Sequence, residues 1–141
     1  MWLADYAQRL SAWTALRQSC QDLALSSALE NINQWWQQSP WRPYYLHWDD
    51  RNDWPNPWQL LADNEYCDVA RALGIVYTIR LLDRVDCSDA CMICSDQGNL
   101  VLVQDGKYVM NWKSNAIVNI ESTQITIQRT LESAVLDRLL R

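Results

Sequence analysis

Along the first forty residues the apolar positions recur at three- and four-residue steps. Leu3, Tyr6, Leu10, Trp13 and Leu16 (or Arg17) mark an amphipathic helix over residues 2–18. A second helix follows Ser19 or Ser26, with Leu25, Leu29, Ile32 and Trp36 on one face. Pro40 stops it, so the helical pattern fills residues 2–38. A Pro/Trp-rich segment occupies residues 39–57, and Asn56 can cap a short helix PWQLLAD with Pro57 at its first position. The stretch DNEYCDVARALG predicts a helix over residues 64–73, ended by Gly74 in the left-handed cap position. Directly after it, IVYTIRLL is a β-branched, near-continuous apolar run, the pattern of a buried strand.

NLVLVQDGKYVMNW carries a hairpin signal, two apolar runs around Asp105-Gly106, a pair favoured in two-residue turns. Residues 116–120 and 124–128 predict two further strands, the second from Ile125 and Ile127 alternating with polar neighbours, so the strands lie within residues 75–128. A closing helix over residues 131–141 places Leu131, Val135, Leu136 and Leu139 on one face. The order predicts an α+β fold of one domain over residues 1–141: N-terminal helices packed on an antiparallel sheet, with a short C-terminal helix.

Composition narrows the partners. With 141 residues, 49% apolar and 21% charged, the chain falls in the globular class and can bury roughly 68–70% of its unfolded surface. Phenylalanine is absent, so tryptophan and tyrosine supply the large aromatic volume, each with an N–H or O–H that needs a partner when buried. The net charge of −5, with Lys107 and Lys113 the two lysines, leaves no basic run for phosphates, so neither nucleic acid nor an anionic membrane is an expected partner. Asp5 interrupts the N-terminal apolar stretch where a signal peptide needs continuity, and no segment approaches the ~20 apolar residues of a membrane span. Five cysteines, an odd set without a secretory signal, predict free thiols in a reducing compartment.

Two cysteine patterns carry candidate chemistry. Cys87, Cys91 and Cys94 are spaced like the iron–sulfur motif of radical enzymes that cleave S-adenosylmethionine, whose three thiolates hold a cubane and leave one iron open. Only 47 residues follow Cys94, against the large barrel those enzymes build. Zinc would need a fourth ligand from Cys67, His47 or an aspartate. The expectation is no metal and no cofactor, with Cys91 and Ile93 turned inward on a strand as small hydrophobes. The second pattern is Cys67 at a helix start, where the dipole favours a thiolate. A cysteine-bearing helix followed by an antiparallel sheet, with a DG hairpin ending at Asn111-Trp112, resembles the core of transglutaminase-like and papain-like proteins over residues 60–112. That family draws a histidine and then an aspartate or asparagine from the strands after the helix. Cys67 matches the first position and Asn111 could match the third. No histidine follows Cys67, and His47 lies upstream.

The stretch WWQQSPWRPYYLHWDDRNDWPNPW, residues 35–58, holds six of nine tryptophans, all four prolines and the one histidine. Trp36, Trp54 and Trp58 are expected to anchor it to the core. Trp41, Tyr44, Tyr45, Trp48 and Arg51 then form a candidate partner-binding surface, since aromatics and arginine with few lysines make up interface cores. The phrases NINQWWQQSPW, YYLHWDD and WPNPWQLLADNEYCDVARALGIVYT resemble small proteins of large tailed bacteriophages, over about residues 30–80. The resemblance implies a virion component of the neck, tail or baseplate, made in the host cytoplasm. Its partners would be other virion proteins or copies of itself, and its role structural rather than enzymatic. A cysteine enzyme built on Cys67, and a carbohydrate-binding module using exposed tryptophan faces, are the alternatives.

Overall fold

Helix α1 (Tyr6–Cys20) begins where the Asp5 carboxylate accepts the Gln8 N–H at 3.0 Å, in a computed structural model that describes residues 2–43 and 46–141. Helix α2 (Leu25–Gln37) buries Ala28, Leu29, Ile32, Asn33 and Trp36, and the chain leaves it towards Pro40. Helix α3 (Pro57–Asp63) opens on a capping box: the Asn56 side chain accepts the Gln59 N–H at 2.8 Å while the Gln59 side chain accepts the Asn56 N–H at 3.0 Å. Asn64 ends α3 in the left-handed region, at φ 59°.

The expectations for residues 64–82 hold only for the helix over residues 68–73; its start, its end and the strand after it are corrected. Helix α4 starts later than predicted, at Asp68 with Cys67 as its N-cap, and continues to Arg80 straight through the apolar run expected to be a strand. Every residue of α4 from Val69 to Ile79 is buried except Arg71, because this helix lies between the sheet and the helices α2 and α3. A helix buried on all sides loses its polar stripe, and its sequence cannot be told from a buried strand by periodicity. Gly74 is therefore no cap. A Cβ at Gly74 would stand 2.7 Å from the Trp36 indole, so the glycine is a notch that lets α2 close on α4.

Thr78, one turn further on, completes this joint. Its hydroxyl accepts the indole N–H groups of Trp13 and Trp36, each at 2.9 Å, and donates to the Gly74 carbonyl at 2.7 Å. One donor and two acceptor sites are all a hydroxyl has, so this buried oxygen is saturated. Arg9 is also buried. It donates to the carbonyls of Leu61, Leu3 and Ala4 at 2.8–2.9 Å, tying α1 to the C-terminal turn of α3, where a cation is favoured.

The α+β expectation holds: the helices pack on a four-stranded antiparallel sheet of order β3-β2-β1-β4, with β1 at Cys91–Ser95, β2 at Gly98–Val103, β3 at Tyr108–Met110 and β4 at Ile127–Thr130. The DG hairpin forms, but through four loop residues rather than two, since Val103 pairs with Tyr108 and Lys107 N–H bonds the Gln104 carbonyl at 3.1 Å. Gln104 and Asp105 take positive φ, and the Asp89 carboxylate holds their N–H groups at 2.9 and 2.8 Å. One sheet face, with Met92, Val101, Val103 and Met110, joins the helical core. The other, with Ile93, Leu100, Leu102 and Val109, is covered by Trp112, Val118, Ile120 and Ile125. That cover corrects the strand expected at residues 116–120, which touches the sheet through one bridge, Val118 to Val109. The next strand lies at Ile127–Thr130 rather than at residues 124–128. Helix α5 (Ser133–Leu139) closes the chain, burying Leu136 and Leu139.

Candidate functional site

The Pro/Trp segment is fastened to the start of α4. The Tyr66 N–H bonds the Pro40 carbonyl at 2.9 Å and the Arg42 N–H bonds the Tyr66 carbonyl at 3.1 Å, a short parallel bridge centred on Trp41. From α4, Arg71 donates to the Ser39 hydroxyl at 3.0 Å and to its carbonyl, and its guanidinium lies 5.0 Å from the Trp41 ring centre. Burial lowers the pKa of this guanidinium from its ordinary value, a tendency that the nearby Asp68 opposes. Trp41 itself stays 55% exposed.

The remaining tryptophans divide differently from the sequence expectation. Trp36 and Trp54 are buried anchors, as expected, and Trp36 sits among Trp2, Trp35 and Tyr66 at 5.1–5.7 Å between ring centres. Trp58, expected in the core, is 39% exposed and meets Trp13 edge-on at 6.4 Å. Pro57 at the first position of α3 takes the buried place, which turns the next residue outward. Trp48, expected on the outer surface, packs against the core. Its Nε1–H donates to the Asn99 side chain at 2.7 Å and its ring stands edge-on to Trp54 at 5.2 Å. Arg51 is held in a bidentate pair with Glu132, at 2.9–3.2 Å, and donates to the Trp48 carbonyl. Tyr44 and Tyr45 lie outside the described residues.

Between the segment and α4 opens a pocket of about 250 Å³, lined among the described residues by Trp41, Pro43, Leu46, Cys67, Asp68, Val69 and Asn99. Cys67 is almost fully buried at its inner end, and its sulfur accepts the Leu46 N–H at 3.4 Å. His47 is exposed, and its side chain makes no hydrogen bond to that sulfur; its carbonyl accepts the Trp54 indole N–H at 2.9 Å. Asn111, at φ 62°, donates through Nδ2 to the Asn99 carbonyl at 2.8 Å and to Asp68 Oδ1 at 3.1 Å. The structure thus brings Asn111 to the residue after Cys67 and leaves His47 without a bond to the thiol. Chemically, the arrangement offers a thiol in a pocket beside a fixed carboxylate.

Cys87, Cys91 and Cys94 do not converge. Cys87 closes a 3-10 turn, Val85–Cys87, inside the helical core, and burial, with the charge of Asp86 added, pushes its thiol up to about 11. Cys91 packs with Ile93 on the outer sheet face, as the inward alternation predicts, and Cys94, three residues on, points to the opposite face. Burial raises both thiols as well, which disfavours the thiolate a metal would need. Among the described residues no group of three histidine, cysteine or acidic side chains is placed to hold a metal ion.

Sequence reasoning missed the polar residues beneath the pocket. Asp68 Oδ2 accepts the Asn99 backbone N–H at 2.7 Å and side-chain N–H at 2.9 Å. Gln37 donates to Asn111 Oδ1 at 2.7 Å, and Asn33 accepts the Asn111 N–H at 3.0 Å. Asn33 gave a usable signal, since it falls on the apolar stripe between Leu29 and Trp36, where a polar residue needs a buried partner. Asp68 and Asn99 gave none, being an ordinary first-turn acid and a strand-end amide. Comparison with known proteins finds no matching family model, no matching curated protein and no matching solved structure.

Proposed function

We propose that the protein is a non-enzymatic contact module of a bacteriophage particle, working through protein–protein association centred on Trp41. One observation carries the contact reading: an indole more than half exposed on a backbone fixed from below by the Tyr66 bridge and by Arg71. An aromatic side chain whose backbone is already ordered loses little entropy on docking, and ordering one otherwise costs ~0.5–1.5 kcal/mol. The particle assignment rests on the resemblance of residues 30–80 to phage proteins. Mass spectrometry of purified particles of the encoding virus tests it, and absence of the chain would overturn it. Trp41→Ala tests the contact. It should leave folding stability within about 0.5 kcal/mol, since the bridge is made by backbone atoms, while weakening incorporation by about 2 kcal/mol, roughly 30-fold. Unchanged incorporation would remove Trp41 from the interface.

A cysteine enzyme remains the second reading, favoured by the place of Cys67 in a pocket at a helix start. It needs a base that approaches the sulfur, and fast selective alkylation of Cys67 at neutral pH is the result that would support it.

A further inference from the structure

The pocket beside Trp41 is smaller than the about 300–1,000 Å³ typical of sites for drug-sized ligands, and among the described residues it has apolar walls and one charged group. The walls are Trp41, Pro43, Leu46 and Val69, and the charged group is Asp68. Five other carboxylates, on Glu65, Glu132, Asp137, Asp86 and Asp49, are paired with arginines at 2.6–3.2 Å. Asp68 differs from them. Among the described residues it has no ion-pair partner, and three neutral amide N–H groups hold it instead: two from Asn99 on Oδ2 and one from Asn111 on Oδ1. A carboxylate has about four lone-pair sites, so one acceptor direction on Oδ1 stays open. Arg71, the nearest cation on α4, donates two N–H groups to Ser39, lies against Trp41 and forms no ion pair with Asp68.

We infer that this pocket receives a lysine or arginine side chain presented by a partner protein. The aliphatic stem lies along Trp41, Pro43, Leu46 and Val69, and the cationic head meets Asp68. Charge complementarity selects this occupant over an anionic one. Among the described residues the one charged side chain lining the pocket is acidic, and the chain as a whole carries a formal −5. An apolar wall ending on a carboxylate suits a side chain that is apolar along its stem and charged at its tip. The inference rests on the contact reading above and names the chemistry of its partner.

The test uses the full chain labelled with ¹⁵N, following the Trp41 indole N–H signal, identified by its loss in Trp41→Ala. N-acetyl-arginine amide and N-acetyl-lysine amide should shift that signal saturably at millimolar concentration. Neutral N-acetyl-norleucine amide, of similar stem, should bind at least five-fold more weakly. The preference should shrink in 0.5 M salt and vanish in Asp68→Asn. Because Asp68 ties β2 to α4, that variant is read only if its melting temperature shows it folded; the salt and norleucine comparisons on the unaltered chain decide otherwise. Equal binding of norleucine amide, or no shift with any probe, overturns the basic occupant while leaving the contact reading standing. Unchanged incorporation of Trp41→Ala would instead remove the contact reading.

Discussion

Thr78 shows how one oxygen can hold three elements. It is the shared acceptor for the indoles of α1 and α2 and returns its own proton to α4. Thr78→Val keeps the shape and removes the oxygen, leaving two buried indole N–H groups without a partner. At ~1–3 kcal/mol for each orphaned donor, the loss should be about 2–6 kcal/mol by urea unfolding, while Thr78→Ser, which keeps the acceptor, should cost about 1 kcal/mol or less. A loss below 1 kcal/mol for Thr78→Val would mean that water replaces the hydroxyl. The sequence foretold half of this arrangement. Buried tryptophans need acceptors, and a chain that uses tryptophan in place of phenylalanine must supply them. It did not say which acceptors, because a threonine inside an apolar run looks the same whether or not an indole reaches it.

At the scale of elements, the Pro/Trp segment combines two roles that its composition could not separate. Trp54 and Trp48 fasten it to the fold, and Trp41 stands out from it. Trp48→Ala would leave the Asn99 amide oxygen without its donor and Trp54 without its edge-on neighbour. It should cost about 2–4 kcal/mol of folding stability in thermal or denaturant melts, well above the cost of Trp41→Ala. Similar melts for the two variants would show that Trp48 is not an anchor. Periodicity disclosed α1 and α2 because each has a wet side, and the DG turn between two apolar runs disclosed the hairpin although both faces of its strands are covered. It misplaced α4, which has none, and residues 116–120, whose apolar residues cover the sheet without pairing along it. Within the candidate site, the exposure of Trp41 was expected from its place in the aromatic and arginine-bearing middle of the segment, an expectation that failed for Trp48. The convergence of Asp68, Asn99 and Asn111 was not, since it joins a helix start to two strands far along the chain.

Taken as a whole, the molecule hides proton-releasing groups. Burial raises the thiol pKa values of Cys20, Cys87, Cys91 and Cys94, Cys87 to about 11, and raises the Tyr77 phenol, whose hydroxyl donates to the Pro55 carbonyl at 2.6 Å. A group whose folded pKa lies above its unfolded value stabilises the fold fully below the unfolded pKa, and that contribution fades as pH rises towards the folded one. For Cys87 the window runs from about 9 to about 11, and Tyr77 extends it upward from its ordinary value of 10. The melting temperature measured under reducing conditions should therefore fall between pH 9 and pH 11. The fall should be smaller in Cys87→Ala than in the unaltered chain. An identical fall in the two would assign the effect elsewhere.

Helix α4 also decides what can be taken away from this molecule. It has helices on one side and the sheet on the other, and neither side covers it alone. A fragment ending after α4 would lose the sheet that covers one side of this helix, and one beginning at α4 would lose the tryptophans that fit against Gly74 and Thr78. Among the described residues, α4 therefore ties the helices to the sheet, and a cut on either side of it uncovers buried apolar surface.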